Sequence, residues 1–332
     1  MTPVSPNPPD DIEALARERA AARTAGDYAR ADSLRARIES SGWRVVDRGA
    51  SFRLDPAAPP TIEEAGVVRY GSAGAVPAVP DGPAAARFSV LLTADDWPDD
   101  TARMLRGLRA HAPAGTQVVI VANDPAPEQA ARLVAGSEDL EPVTGSQPEV
   151  LWTSARLGRA AALNVGLRRA RGRVVILADT SVEITGDAFE PVATALGDRG
   201  LAVTGGFGLA VPDLRHVAPA DGPDVDAIAA GWLAFRREDL AALGPLEEKF
   251  AVDAYLDVWW SLVLRAGPES ARAARRAVRL ELPLVRHEPR GVAALPAAAR
   301  ERLAKRNSYR LLDRFRHRAD LLSAPPAGRE AR

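Results

Sequence analysis

The chain has 332 residues, a net charge of −1 and no cysteine. The missing thiols exclude disulfides, thiol catalysis, thiolate zinc sites and iron–sulfur clusters. The near-zero charge excludes a nucleic-acid footprint over the whole chain, and no run approaches the roughly 18 apolar residues of a membrane span.

The first thirty residues hold no apolar signal-peptide core, so a cytoplasmic protein is expected. Lysine occurs only at Lys249 and Lys305. The abundance of arginine therefore reads as coding bias and is not counted as evidence of function. Residues 1–10 form a proline-rich tail, expected to be disordered. Residues 11–54 read as a small module of two helices and a hairpin. Ile12, Leu15, Ala16 and Ala20 share one helical stripe, and Tyr28, Ala31, Leu34 and Ile38 share a second. Gly26-Asp27 separates them, with Asp27 as N-cap, and Gly42 closes the pair. Residues 43–47 and 51–54 are the expected hairpin strands. Residues 55–86, rich in Pro, Gly and Ala, read as a linker or extended wrap.

From residue 87 to 292 short apolar runs alternate with amphipathic stretches. The runs are FSVLLT (88–93), QVVIVA (117–122), EVLW (149–152), RVVILA (173–178) and LAVTGG (201–206), with helices near 100–111, 126–135, 159–170 and 187–197. This alternation predicts an α/β domain with a mostly parallel sheet covered on both faces. Further on, strands are expected at 227–235 and 277–286, and helices at 237–243 and 256–266. Residues 293–332 are a basic helical tail. Within 297–320 lie eight basic residues against Glu301, Asp313 and Asp320, with Leu303, Leu311, Leu312 and Phe315 as an apolar stripe. Such a helix can lie on an anionic membrane surface, making the protein peripheral to a membrane. The preferred alternative is that the stripe packs on the α/β core.

Ligands of open α/β sheets bind beyond the carboxyl ends of the strands. The segment RLGRAAALNVGLRRARGRVVILADTS (156–181) is therefore the most informative. Gly158 opens an Ala-rich helix. Asn164 and Gly166 sit in its middle against their helix propensity, which points to packing or function. The following strand ends in Asp179, either a ligand-facing carboxylate or the cap of a turn with Thr180 and Ser181.

This segment resembles the inverting family 2 glycosyltransferases. Gly158, Asn164-Val-Gly166, Ala170-Arg-Gly172, the strand and Asp179-Thr180-Ser181 follow that family's pattern in order. Gly231-Trp-Leu-Ala-Phe-Arg-Arg237 and Leu243-Gly-Pro-Leu-Glu-Glu-Lys-Phe250 resemble its acceptor-side segment. Leu256-Asp257-Val-Trp-Trp resembles its Glu-Asp-x-Asp helix, and His287 stands at a common histidine position. The resemblance implies a GT-A fold, which is Rossmann-like. It also implies a nucleotide-sugar donor, an unidentified acceptor and inverting transfer. Asp257 would be the general base. Asn123, Gly158, Arg159, Asn164 and Asp179 would form the nucleotide-sugar site. Asp179 and His287 would hold a divalent metal, Mn or Mg. Three positions depart from the pattern. Ser181 replaces the second Asp of Asp-x-Asp, Leu256 replaces a Glu, and Ala122 replaces the Asp expected after the second strand. Neutral Ser181 weakens the metal site, since hard cations want charged oxygens. Arginines, Arg156 or Arg159, could serve instead. Trp259 stands where a later acid is expected; one of the neighbouring indoles Trp259 and Trp260 should be core. Asp257 also reads as a helix N-terminal acid, His287 as an ordinary strand-end histidine, and Asp253 as a surface acid.

Residues 12–54 resemble the C-terminal tail module of cysteinyl-tRNA synthetases, through Arg19, Gly26-Asp27-Tyr28-Ala29-Arg30-Ala31-Asp32, Gly42 and Asp47. Neither synthetase signature is present. Nine arginines meet nine acids over 10–55, so nucleic acid is not expected as a partner. Two alternatives to sugar transfer remain open: a catalytically silent GT-A scaffold that binds a partner, and an RNA-associated protein acting through 12–54.

Overall fold

The computed structural model describes residues 8–48, 51–79, 82–134, 140–252, 254–268, 273–288, 290 and 295–322. Most of the proline-rich start, the last ten residues and Asp253 lie outside them. The chain divides into two compact units, Met1–Ser72 and Ala73–Arg332.

In the first unit, α1 (Asp10–Thr24) opens on Asp10, Asp11 and Glu13, acids that suit the positive end of the helix dipole. Gly26, at φ +76°, ends it. Asp27 caps α2 (Tyr28–Ser40) by accepting the Arg30 N–H at 3.0 Å, as the sequence predicts. β1 (Trp43–Arg48) and β2 (Ser51–Pro56) pair antiparallel. Ile12, Ala16, Ile38, Trp43 and Val45 make the core. Arg19 is buried and holds Asp47 with both Nη atoms, at 2.8 and 3.0 Å. The stretch expected as linker contains a hairpin, β3 (Ile62–Glu64) and β4 (Val67–Tyr70). Its turn residues Ala65 and Gly66 both have positive φ, the geometry of a two-residue hairpin loop.

In the second unit the elements run β5 (Ala86–Ala94), α3 (Pro98–His111), β6 (Gln117–Ala122), α4 (Pro127–Arg132), β7 (Glu149–Thr153), α5 (Arg159–Leu167), β8 (Gly172–Ala178), β9 (Val182–Ile184) and α6 (Glu190–Ala195). Then follow β10 (Leu201–Gly205), β11 (Gly208–Ala210), β12 (Ala218–Ala220), β13 (Asp224–Val225), β14 (Ala227–Ile228), β15 (Trp232–Arg236) and α7 (Arg237–Leu243). Last come α8 (Leu256–Ala266), β16 (Arg276–Arg279), β17 (Leu284–Arg286) and α9 (Ala297–Phe315). The main sheet orders its strands β13-β16-β10-β15-β8-β5-β6-β7. β8, β5, β6 and β7 are mutually parallel, and β15 enters antiparallel between β8 and β10. β6 is buried at every position, which is why its sequence is one apolar run rather than an alternation.

Two expected strands are each split. The 227–235 run becomes β14 and β15, because the chain turns at Gly231 with φ +135° to enter the main sheet. The 277–286 run becomes β16 and β17, separated by Pro283, which cannot donate to a ladder. β17 instead pairs with β9. Gly166 has a packing reason: an added Cβ would lie 3.1 Å from the Leu91 and Val121 side chains, so glycine lets α5 sit close on the sheet.

Within the expected 293–332 tail the helix runs over Ala297–Phe315, and Leu321 is buried in a short 3-10 turn. Leu311 and Phe315 are buried, Arg314 lies over the Trp259 ring, and Asn307 donates to the Ala254 carbonyl at 2.8 Å. The apolar stripe thus packs inward on this unit. No described helix is long and apolar enough to cross a membrane.

The Arg19–Asp47 pair gives a stability prediction. Hydrogen bonding from Arg19 holds the Asp47 carboxyl below its ordinary value, against a smaller opposing effect of burial. A lowered carboxylate stabilises the fold above its unfolded-state titration and loses that contribution as pH falls through the folded-state one. Asp47→Asn should cost about 1 kcal/mol at neutral pH, modest because Asp47 is 39% exposed and solvent screens it. Urea denaturation should show the gap from wild type closing as the pH is lowered.

Candidate active site at the carboxyl edge of the sheet

The parallel strands deliver polar residues to one edge. β5 ends before Asp95-Asp96, β6 before Asn123-Asp124 and β8 before Asp179. The Asp95 Oδ1 is buried without a hydrogen-bond partner. Burial pushes this carboxyl up, opposed by Arg159, Arg156 and Asn123 and reinforced by Asp96. Asp96 goes the other way: the Arg156 guanidinium grips it at 2.7 and 2.6 Å and holds it below the usual range. Asn123 is buried. Its amide accepts the Leu157 N–H at 2.9 Å and donates to the Leu157 carbonyl at 3.2 Å. The turn before α5 is thereby fastened to the end of β6.

Gly158 begins α5 where an added Cβ would lie 2.9 Å from the Ala251 Cα. The close approach lets Arg159 and Ala160 donate their N–H groups to the Ala251 and Phe250 carbonyls at 2.9 and 3.1 Å. Those helix-terminal donors are thus occupied by protein. The Arg159 side chain donates to the Thr93 hydroxyl and lies 3.4 Å from Asp179 Oδ2. Asn164 is fully engaged with the 246–248 segment. It accepts the Leu246 N–H and donates to the Leu246 carbonyl, both at 2.9 Å, and reaches Glu248 at 3.1 Å. The residue the sequence places in the donor site is therefore a buried clamp on the next segment.

Three groups meet at the corner Ala230-Gly231. Asp179 donates its N–H to the Gly231 carbonyl at 3.0 Å. Asp257 Oδ2 accepts the Ala230 N–H at 2.9 Å, and its Oδ1 accepts the Val258 N–H at 2.8 Å. Arg286 donates to the Ala230 carbonyl, lies 4.1 Å over the Phe207 ring and feels the charges of Asp179 and Asp257. Burial alone would raise the Asp179 carboxyl. The Arg159 charge, the Ser181 hydroxyl and amide, and the Arg286 charge outweigh burial and set it below the ordinary value.

His287 reaches this neighbourhood by its backbone, donating its N–H to the Ser181 carbonyl at 2.8 Å. Its imidazole pairs with Glu183 at 2.8 Å. The expected Asp179–His287 ligand pair is therefore not assembled. Among the described residues no group of three histidine or acidic side chains is placed to hold a metal. Asp179 has neutral Ser181 beside it and two guanidiniums around it. That donor set does not fit a tightly held divalent cation, which takes several oxygen ligands.

A narrow cavity opens beside Asp257, walled by Arg159, Leu177, Ala230, Leu246 and Trp260, with about 20 Å³ of water-sized space. That is room for about one water. Trp232, Trp259 and Trp260 are all core residues. The two neighbouring indoles lie stacked, 6.2 Å apart, rather than on separate surfaces. Sequence reasoning missed Asp95, Asp96, Glu183 and Arg286. The first two follow an apolar run and were visible by the same rule that found Asp179. Arg286 directly precedes His287. Glu183 had no signal.

The comparisons with known proteins fit this geometry. Residues 89–221 match the model described as Glycosyl transferase family 2. The crystal structure of GalNAc-T7 with UDP, GalNAc and Mn2+ is similar at 15% identity and a TM-score of 0.52. The alignment covers 69% of this chain and 48% of that one, so the chain spans about half its length. The fold is GT-A, and residues 89–221 are the part of it that is similar to family 2 glycosyltransferases. The crystal structure of S. aureus TarS 1-349 in complex with UDP-GlcNAc also aligns, at 13% identity and a TM-score of 0.47, covering 70% of this chain and 74% of that one. A separate 49-residue stretch is 45% identical to the cysteine–tRNA ligase of Opitutus terrae, covering 15% of this chain and 11% of the ligase.

The Asn164 clamp is testable. Asn164→Ala strands the buried Leu246 N–H and carbonyl, and should cost about 2–4 kcal/mol. Urea denaturation of the variant against wild type measures it.

Proposed function

We propose that this chain transfers a sugar from a nucleotide-sugar donor to an acceptor hydroxyl, with inversion. The observation that carries the reading is the meeting of Asp179, Asp257 and Arg286 at one corner, at the carboxyl edge of a GT-A sheet. In this reading Asp257 takes the proton of the acceptor hydroxyl. The hydroxyl oxygen forms a bond to the anomeric carbon from the side opposite the departing nucleoside diphosphate. The bond from that carbon to the diphosphate oxygen breaks, and the leaving group keeps the electron pair. The Ala230 and Val258 N–H groups fix the orientation of Asp257 for this role. Asn123, Gly158 and Arg159 line the approach for the nucleotide, and Asn164 acts by holding the 246–248 segment in place. The cavity beside Asp257 must widen to admit a sugar.

Asp257→Asn should lower turnover of UDP- or GDP-sugars by about a hundredfold or more while nucleotide binding persists. Nucleotide release with and without candidate acceptor sugars measures it. The narrowness of the cavity favours one rival, a catalytically silent scaffold. No turnover and no thermal shift with any donor would favour that rival, whereas full activity in Asp257→Asn would remove Asp257 as the base and leave an active enzyme.

The first unit reads as a docking module rather than an RNA reader. Its arginines are tied to acids: Arg17 to Glu13, Arg19 and Arg23 to Asp47, Arg30 to Glu18, Arg35 to Glu39, and Arg53 to Asp55. Paired guanidiniums leave little net field for phosphates. A gel-shift titration of the full chain with bulk tRNA at physiological salt should show no complex.

A further inference from the structure

We propose that the guanidiniums of Arg159 and Arg286 hold the donor's diphosphate in the place a divalent cation would take. The inference rests on the donor-binding reading above and deepens it. It starts from the mismatch at Asp179, where one carboxylate and a neutral serine stand in for a metal-binding set.

Positive charge is nevertheless present on both sides of that carboxylate. Arg159, at the start of α5, extends to Thr93 at the end of β5 and to Asp179 beyond β8. It therefore spans the gap between the two strand ends where a pyrophosphate would lie. Arg286 comes from the other side, at the end of β17, and rests on Phe207 with its head at the Ala230 carbonyl. Stacking on the ring fixes the plane of the guanidinium, and a planar fork suits two phosphate oxygens at once. Both heads feel Asp179, which holds them near the corner, and the Arg159 contact to it is long, at 3.4 Å. The Thr93 hydroxyl and the Ala230 carbonyl are neutral partners that a phosphate could replace. Arg156, the other arginine the sequence offers, is excluded by its two-pronged grip on Asp96. Asp179 then acts as a positioning residue for two arginines rather than as a metal ligand. The cations stand where the leaving diphosphate accumulates charge, which is where preorganised charge lowers a barrier most.

The test is calorimetric titration of UDP and of GDP into the full chain, in EDTA and separately in MnCl2. Wild type is compared with Arg159→Ala, Arg159→Lys, Arg286→Ala and Arg286→Lys, and melting curves confirm that each variant folds. The expected result is an affinity in EDTA within about twofold of that in MnCl2. It should weaken tenfold or more in each alanine variant and partly recover in each lysine variant. Binding that requires MnCl2, or that is unchanged in folded alanine variants, overturns the proposal and leaves the donor reading standing. No binding of either nucleotide in either buffer overturns both.

Discussion

The turn at Ala230-Gly231 is the constraint from which the site hangs. β15 runs antiparallel beside β8, with Trp232 level with Ala178, so the chain must reverse direction where β8 ends. Gly231 does this at φ +135°, a conformation closed to other residues. A Cβ there would also lie 2.8 Å from the Arg286 guanidinium. The peptide groups exposed by the turn are then shared out. The Gly231 carbonyl takes the Asp179 N–H, the Ala230 N–H goes to Asp257, and the Ala230 carbonyl takes Arg286. One backbone corner thus fixes three charged side chains that lie 78 and 107 positions apart from the first to the second and third, counting from Asp179 to Asp257 and Arg286. Any residue other than glycine at 231 would disturb all three together.

Most of the sheet was legible in the sequence because buried parallel strands leave a coarse, strong signal. QVVIVA at 117–122 and the helices at 237–243 and 256–266 stand within their expected bounds. The signal failed where apolar character continues across a change of sheet. Residues 227–235 read as one strand, yet Gly231 hands the chain from β14 to β15. Periodicity records which side chains are buried, but not which ladder their backbone joins. Asn164 shows the same limit from another side. Its presence inside a helix was a visible anomaly. Its cause, the peptide of Leu246, lies 82 residues away and has no local trace.

The positions where the family resemblance expects acids are coherent once placed. Ala122 is wholly buried between Ala94 and Trp152, where a carboxylate would have no solvent. Ser181 is buried too, and its amide and hydroxyl both serve Asp179. Leu256 and Trp260 wall the cavity beside Asp257. An acid at 181 or 256 would add negative charge within reach of Arg159 and Arg286. As it is, Arg159 acts on Asp95 and Asp179, and Arg286 on Asp179 and Asp257.

The aromatic residues sharpen what can confer sugar specificity. Trp232 donates to the Ala188 carbonyl and packs edge-on against Phe189, while Trp260 meets Phe235 in the same manner. Trp259 lies between Phe250 and Arg314. All three indoles are buried, so none offers a free face on which a sugar ring could stack. On the proposed function, selection among donors falls to the polar rim. There Asp95 carries a raised carboxyl whose Oδ1 lacks a hydrogen-bond partner, next to Asn123 and two arginines. Burial disfavours the charged form of that carboxyl, and Arg159 and Arg156 oppose burial.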